Sequence, residues 1–208
     1  MKLDCIVIQF ARFPTLGGVK TRLHPELGKE GCLALYLQLL KHVHDQVQQS
    51  DLFHVISLDG TGNHPLVNSL MEMTPMILQQ GGDLGERMFN AIEWGLTKAN
   101  KVIIIGSDCA VLNQSHLNAV KDALNDHSHT FIPAEDGGYV LVGAAESYRD
   151  IFENIEWGIN TVMEKTKQAI ESGNKKAAYL PLLWDVDRPE DYHRLLDCYP
   201  NWPELKKI

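Results

Sequence analysis

The sequence predicts an α/β protein: a three-layer, open, mostly parallel sheet with helices on both faces. Short apolar runs alternate with longer amphipathic ones along the chain. One of the short runs, Lys101 to Ile105, is almost uninterrupted Val and Ile. No repeat, low-complexity tract or long linker divides the chain, so residues 1–208 read as a single domain. Strand–helix alternation calls for parallel strands joined by crossover helices, and an unbroken β-branched run suits a central strand covered on both faces.

The elements follow in order. Leu3 to Ala11 reads as a strand, and Lys29 to Gln49 as a helix with Leu33, Leu37, Leu40 and Val43 at helical spacing. Phe53 to Leu58 is β-branched and aromatic, hence a strand. A weaker helix, Leu66 to Met71, leads to a short strand at Met76 to Leu78. Asp83 to Ala99 reads as a helix whose buried face carries Leu84, Met88, Ile92 and Leu96. After the central strand, Asn113 is placed to cap a helix running to Leu124. Thr130 to Pro133 and Tyr139 to Val142 flank a Gly-Gly pair as strands. A helix from Thr161 to Ser172, a strand from Ala177 to Leu180 and a helix opened by Pro189 complete the pattern.

Composition narrows the function. With 44% hydrophobic and 22% charged residues the chain is ordinary globular material, which excludes disorder, collagen and coiled coil. Nineteen basic against 27 acidic residues give a net charge of −8. Such a chain has no general attraction for nucleic acid or anionic membrane, so a phosphate ligand needs a local basic cluster. The N-terminal apolar stretch Cys5 to Ile8 is flanked by Asp4 and Gln9, and reads as a strand rather than a signal peptide. Cys5, Cys32, Cys109 and Cys198 form no CxxC pair, which points to reduced thiols and a cytoplasmic location. The nine histidines show no metal-binding spacing and read as surface residues.

Ligands of such a sheet bind beyond the carboxyl ends of the strands, so the segments after each strand hold the candidates. The first runs from Arg12 to Leu23, where Arg12, Lys20 and Arg22 stand in a stretch free of acidic residues between Asp4 and Glu26. Gly17 and Gly18 let backbone amides approach an anion, and Lys20 and Arg22 can grip phosphate oxygens. A solvated basic loop has the same composition. Asp108, at the tip of the central strand, can hold Mg²⁺ or Mn²⁺ against a diphosphate or simply cap a turn. Glu135 and Asp136 could bind sugar hydroxyls or act as a base, with Gly137 and Gly138 bringing backbone to the ligand; a tight hairpin is the plainer reading. Asp185 and Asp187 alternate on one side of an extended segment and could complete a metal site, although Asp187 could equally cap the last helix. Asp83 and Glu86 suggest a helix cap, with Arg87 as a ligand contact.

In this order the segments resemble a known family. FARFPTLGGVKTRL, from Phe10 to Leu23, resembles the opening FAKxPxxGxVKTRL of bacterial glycosyltransferase-A-fold proteins associated with radical-SAM and selenodomain genes, formerly a domain of unknown function. GDLGERM (Gly82 to Met88), IGSDC (Ile105 to Cys109), EDGGY (Glu135 to Tyr139), IEWG (Ile155 to Gly158) and DVD (Asp185 to Asp187) match later blocks. Ala110 and Ile159 depart from the pattern, where the family commonly has proline and threonine. The resemblance implies a nucleotide-diphospho-sugar transferase fold, Rossmann-like, with the Arg12 to Arg22 loop on nucleotide phosphates, the divalent metal on Asp108, and Trp157 among the substrate contacts. Relatives of that fold include molybdenum-cofactor and phospholactate guanylyltransferases, so the fold does not choose the reaction.

The expectation is metal-dependent glycosyl transfer from a nucleotide-sugar to an unidentified small-molecule acceptor. Lys20, Arg22 and a cation on Asp108 and Asp187 would stabilise the departing diphosphate, while Glu135 or Asp136 would orient the sugar or act as base. The alternatives are nucleotidyl transfer from an NTP with release of pyrophosphate, and a non-catalytic nucleotide-sugar binding module.

Overall fold

The computed structural model describes residues 2–202. Its frame is a seven-stranded sheet of β1 (Leu3–Ala11), β2 (Phe53–Leu58), β3 (Met76–Leu78), β4 (Ala99–Ile105), β5 (His129–Pro133), β6 (Tyr139–Ala144) and β7 (Ala177–Tyr179). The strand order is β3-β2-β1-β4-β6-β5-β7. All pairings are parallel except those of β6, which runs antiparallel to both β4 and β5. The helices are α1 (His24–Gln48), α2 (Pro65–Met73), α3 (Leu84–Leu96), α4 (Gln114–Ala123), α5 (Val162–Ser172) and α6 (Pro189–Cys198).

Period-two alternation along the central strands builds the layers. Ile6, Ile8, Val102 and Ile104 face α3 and α5, packing on Met88, Ile92, Met163 and Ile170. Cys5, Val7, Ile103 and Ile105 face the other way, onto Val43, Val47, Leu117 and Val120 of α1 and α4. With both faces covered, β1 and β4 lie at the centre, and their carboxyl ends are held firmly. Ser107, just past β4, donates its hydroxyl to the Phe10 carbonyl at 2.7 Å and accepts from buried Gln9 Nε2 at 3.3 Å.

Three expectations need correction. The helix read as Asp83 to Ala99 ends at Leu96, because Thr97 and Lys98 fold back onto Trp94 and Gly95 and release Ala99 to start β4. The first helix begins at His24 and is kinked at Gly28 (φ 67°), which permits a turn unavailable to other residues. The histidines are not all at the surface: His44, His54 and His129 are buried. His44 Nε2 lies 2.8 Å from Thr74 Oγ1, and His54 Nδ1 lies 3.1 Å from Gln48 Nε2, so neutral rings are accommodated there.

That burial sets a pH response. Desolvation pushes His54 down to about 3, with help from His44, and pushes His129 down to about 4. In an unfolded chain both titrate near 6.5. Below that pH the unfolded chain binds protons that the folded one refuses, so stability falls as pH falls. Two such residues should remove about 3 kcal/mol between pH 7.5 and pH 5.5. Urea midpoints across that window check it, and a flat profile would show that the rings protonate freely in the fold.

Candidate active site

The carboxyl ends of β1 and β4 open onto a cleft of about 680 Å³. Arg12, Gly18, Lys20, Arg22, Arg87, Asp108 and Asp187 all line it, together with Tyr36, Asp59 and Gln79. The basic loop forms one wall. Val19 is buried among residues of β1, α1 and β2, and the Tyr36 hydroxyl donates to the Arg12 carbonyl at 2.7 Å. Gly17 (φ 76°) turns the loop, but its position against the Lys29 side chain keeps it out of the lining. Lys20 adopts φ 51°, an uncommon conformation for a residue with a side chain. This turns its stem inward, where only 4% of the side chain is exposed.

Lys20 Nζ lies 2.8 Å from Asp108 Oδ2 and donates to the Val186 carbonyl at 2.5 Å. Arg22 pairs with Asp187. The Asp185–Asp187 segment is therefore laced to the basic loop, and the Val186 amide donates to the Asp108 carbonyl at 3.0 Å. Val186 is fully buried, so alternation turns Asp185 and Asp187 to the opposite side together; Asp187 lines the cleft, and Asp185 lies within reach of the Asp108 and Lys20 charges. Asp187 is not the cap of α6: the Asp187 and Arg188 amides both donate to Asp191, which closes that helix from within. Burial, reinforced by the charges of Asp136 and Asp108, raises Asp185 to about 7. Asp108 Oδ1 is buried and has no hydrogen-bond partner among the described residues. Among the same residues, Arg12 and Arg87 have no carboxylate partner, although Arg87 Nε donates to the Gly81 carbonyl at 3.2 Å.

The Glu135 to Gly138 turn is placed differently. Glu135 accepts from Arg194 Nη1 at 2.8 Å, and Arg194 in turn covers the Trp184 ring, so this carboxylate faces away from the cleft lining. Asp136 accepts from the Gly138 amide at 2.8 Å, and its charge reaches both Asp185 and Arg22. Gly137 is structural, since at φ 90° an added Cβ would sit 2.1 Å from the Asn160 carbonyl oxygen. Gly137→Ala should therefore lose at least 2 kcal/mol, roughly, through strain and clash. Gly106→Ala, with nothing within 4 Å of the added carbon, should stay within about 0.5 kcal/mol. Chemical denaturation of both variants checks the pair, and equal losses would sink it.

Trp157 is packed rather than presented, its ring against Gly85 and edge-on to Tyr139 at 6.4 Å. Asp59 and Gln79, which belong to no recognisable motif, occupy the cleft because they follow β2 and β3 directly. The strand-end rule that found Asp108 applies to them equally.

The profile of a bacterial family described as uncharacterized conserved proteins, DUF2064, matches residues 40–159, more than half of the chain. The chain belongs to the DUF2064 family. The 2-phospho-L-lactate guanylyltransferase of Methanobrevibacter smithii is 29% identical over 122 residues, which cover 57% of this chain and 53% of that protein. The DUF2064 chain thus spans about half the length of the curated relative it matches. A Desulfovibrio desulfuricans G20 protein, provisionally named a nucleotide-diphospho-sugar transferase, superposes with a TM-score of 0.86 at 25% identity, covering 99% of this chain and 91% of its own. A nucleotidyl transferase of Methanothermobacter has the same fold, with a TM-score of 0.70 at 14% identity over 95% of this chain and 98% of its own. The DUF2064 chain therefore has the nucleotide-diphospho-sugar transferase fold, an open α/β sheet as the sequence predicts. Among its described residues no helix is long and apolar enough to cross a membrane.

Proposed function

We propose that this chain is a single-domain transferase acting on a nucleotide donor, and that it moves a nucleotidyl group from an NTP to a phosphorylated acceptor with release of pyrophosphate. The observation that carries this reading is Asp108, fixed at a buried strand tip with one oxygen unpartnered, facing a cleft walled by the Arg12 to Arg22 loop. The guanylyltransferase relative supports nucleotidyl over glycosyl transfer as the reaction. Glycosyl transfer, the first expectation from sequence, is kept as the second reading because the likeness to the Desulfovibrio protein extends over the full fold.

In the proposed reaction an acceptor phosphate oxygen attacks the α-phosphorus of the NTP, and the bond to the bridging oxygen of pyrophosphate breaks. Arg12 and Arg87 bind the departing phosphates, where negative charge accumulates, and Arg22 joins them on leaving Asp187. Lys20 stands ready to join them once Asp108 has another partner. A phosphorylated acceptor is already anionic and needs no base to activate it. An alcohol acceptor would need one, and Asp136 would serve in the glycosyl reading, with Gly137 and Gly138 shaping that turn.

The donor set fits a divalent cation. Among the described residues no group of three or more acidic, His or Cys side chains could hold a metal, but Mg²⁺ usually takes one or two carboxylates plus phosphate and water. Asp108 with Asp185 or Asp187 supplies that number, and the unpartnered Asp108 oxygen is an acceptor with nothing to accept. A structure of Rv0371c from Mycobacterium tuberculosis, alike in fold with a TM-score of 0.58 at 15% identity, is a manganese complex. When bound, Mg²⁺ or Mn²⁺ would neutralise phosphate charge at this point.

Phosphorus NMR on the protein with NTPs or nucleotide-sugars, Mn²⁺ and a pool of phosphorylated acids and alcohols tests the assignment. Pyrophosphate from an NTP is the expected product. Nucleoside diphosphate from a nucleotide-sugar would move the assignment to glycosyl transfer.

A further inference from the structure

Asp59 and Gln79 are not used by the phosphate chemistry, yet both line the cleft. They follow β2 and β3, whereas Asp108 follows β4 on the far side of β1. Strands lie ~4.8 Å apart, so β2 and β4 are separated by about 10 Å. That distance leaves room for a ribose between phosphates at Asp108 and a base at Asp59.

Both residues are tied to the same carbonyl, Asp59 through its backbone amide and Gln79 through its side chain. The Asp59 amide donates to the Ala11 oxygen at 3.1 Å, and Gln79 Nε2 donates to it at 3.3 Å. Gln79 Nε2 also donates to the Ser57 carbonyl at 2.9 Å. Two carbonyl partners fix the orientation of this amide, because only its nitrogen can donate to them. Its oxygen is left as an acceptor. Asp59 is restrained in the same manner: Oδ1 accepts the Phe13 amide at 2.7 Å, leaving Oδ2 without a partner among the described residues. This end of the cleft therefore offers two side-chain acceptors, one of them charged, on a rigid mount.

Resting on the nucleotide-donor reading above, we infer that Asp59 and Gln79 read the base of the donor and select guanine. Guanine presents two adjacent donors, the N1–H and the N2 amine. Uracil offers one N–H between two carbonyls, and adenine and cytosine offer one amine beside ring acceptors. Only guanine satisfies both acceptors without setting a lone pair against a carboxylate. A hydrogen bond to a charged group contributes about 1.5–3 kcal/mol, a factor of roughly 10 to 150 in affinity.

Calorimetric titration with GDP, IDP, XDP, ADP, CDP and UDP, all with Mg²⁺, tests this without requiring turnover. The wild type should bind GDP at least tenfold more tightly than IDP, which lacks the N2 amine. Asp59→Asn keeps an oxygen for the Phe13 amide but replaces one acceptor with a donor. It should lose GDP affinity tenfold or more and gain affinity for XDP, which carries an oxygen where guanine has its amine. A purely structural Asp59 would weaken every base alike, and that result would overturn the inference. Equal binding of all the diphosphates by the wild type would overturn it too, leaving the nucleotide-donor reading intact. Failure of every nucleotide to bind would remove both.

Discussion

Asp108→Asn is expected to lower turnover by roughly 10²–10³-fold, the range seen when one preorganised electrostatic group is removed from a reaction site, while the protein still folds. Asparagine keeps the shape and one oxygen but cannot supply the negative charge that a cation needs against a triphosphate. The risk to folding lies with Lys20, whose buried ammonium loses its partner at 2.8 Å. Breaking a fully buried pair costs about 3–5 kcal/mol. Here the loss should be smaller, because Asp185 stands close enough for Lys20 to favour its ionised form. Removing the Asp108 charge relieves one of the repulsions that raise Asp185 to about 7, so Asp185 ionises more fully and takes over as counter-charge. Turnover and denaturation measured together check the prediction. Wild-type activity in a folded Asp108→Asn protein would show that the cation site is elsewhere.

Lys20→Met should move two affinities in opposite directions. With its stem buried and its head on Asp108 and the Val186 carbonyl, Lys20 occupies the position a cation would take. Removing the ammonium frees Asp108 Oδ2 as well as the already unpartnered Oδ1, so Mn²⁺ alone should bind more tightly than to the wild type. Nucleotide affinity should fall by about 10- to 150-fold, the value of one charged hydrogen bond to phosphate. Methionine preserves the apolar stem, and the φ of 51° strains it no more than it strains lysine. Calorimetry with Mn²⁺ alone and with nucleotide reads both arms. A parallel fall in the two would mean that Lys20 only holds the loop in shape. In the wild type such an exchange would couple the ligands: if Asp108 held the cation and Lys20 the phosphate, each ligand should strengthen the other.

Much of the fold is legible in the sequence because it depends on patterns spanning several residues. Leu3–Ala11, Phe53–Leu58 and Met76–Leu78 have the bounds their apolar runs predict, and Asn113 caps α4 through its side chain. Boundaries without such a signal are not legible. Nothing local distinguishes Thr97 and Lys98 from the helix before them; the register of β4 on β1 claims Ala99 for the sheet. The buried histidines were illegible for a similar reason, since each depends on a distant partner such as Thr74 or Gln48.

The candidate site divides along the same line. Arg12, Lys20, Arg22, Arg87, Asp108 and Asp187 converge on one cleft because each sits beside the carboxyl end of a strand or an adjoining segment. Sequence could not foresee that Lys20 and Arg22 would be engaged with Asp108 and Asp187, a pairing between segments about 90 and 165 residues apart. Nor could it foresee that Arg194 would draw Glu135 aside. Asp59 and Gln79 were within reach of the strand-end rule, but single polar residues lack the motif context that made Asp108 conspicuous.

The most direct measurement is an anomalous difference map from crystals soaked with Mn²⁺ and a non-hydrolysable NTP. The predicted result is a manganese peak against the Asp108 carboxylate, bridging to phosphate, with Lys20 and Arg22 released from Asp108 and Asp187 onto phosphate oxygens. Manganese or phosphate density lying away from Asp108, with both ion pairs intact, would contradict the account.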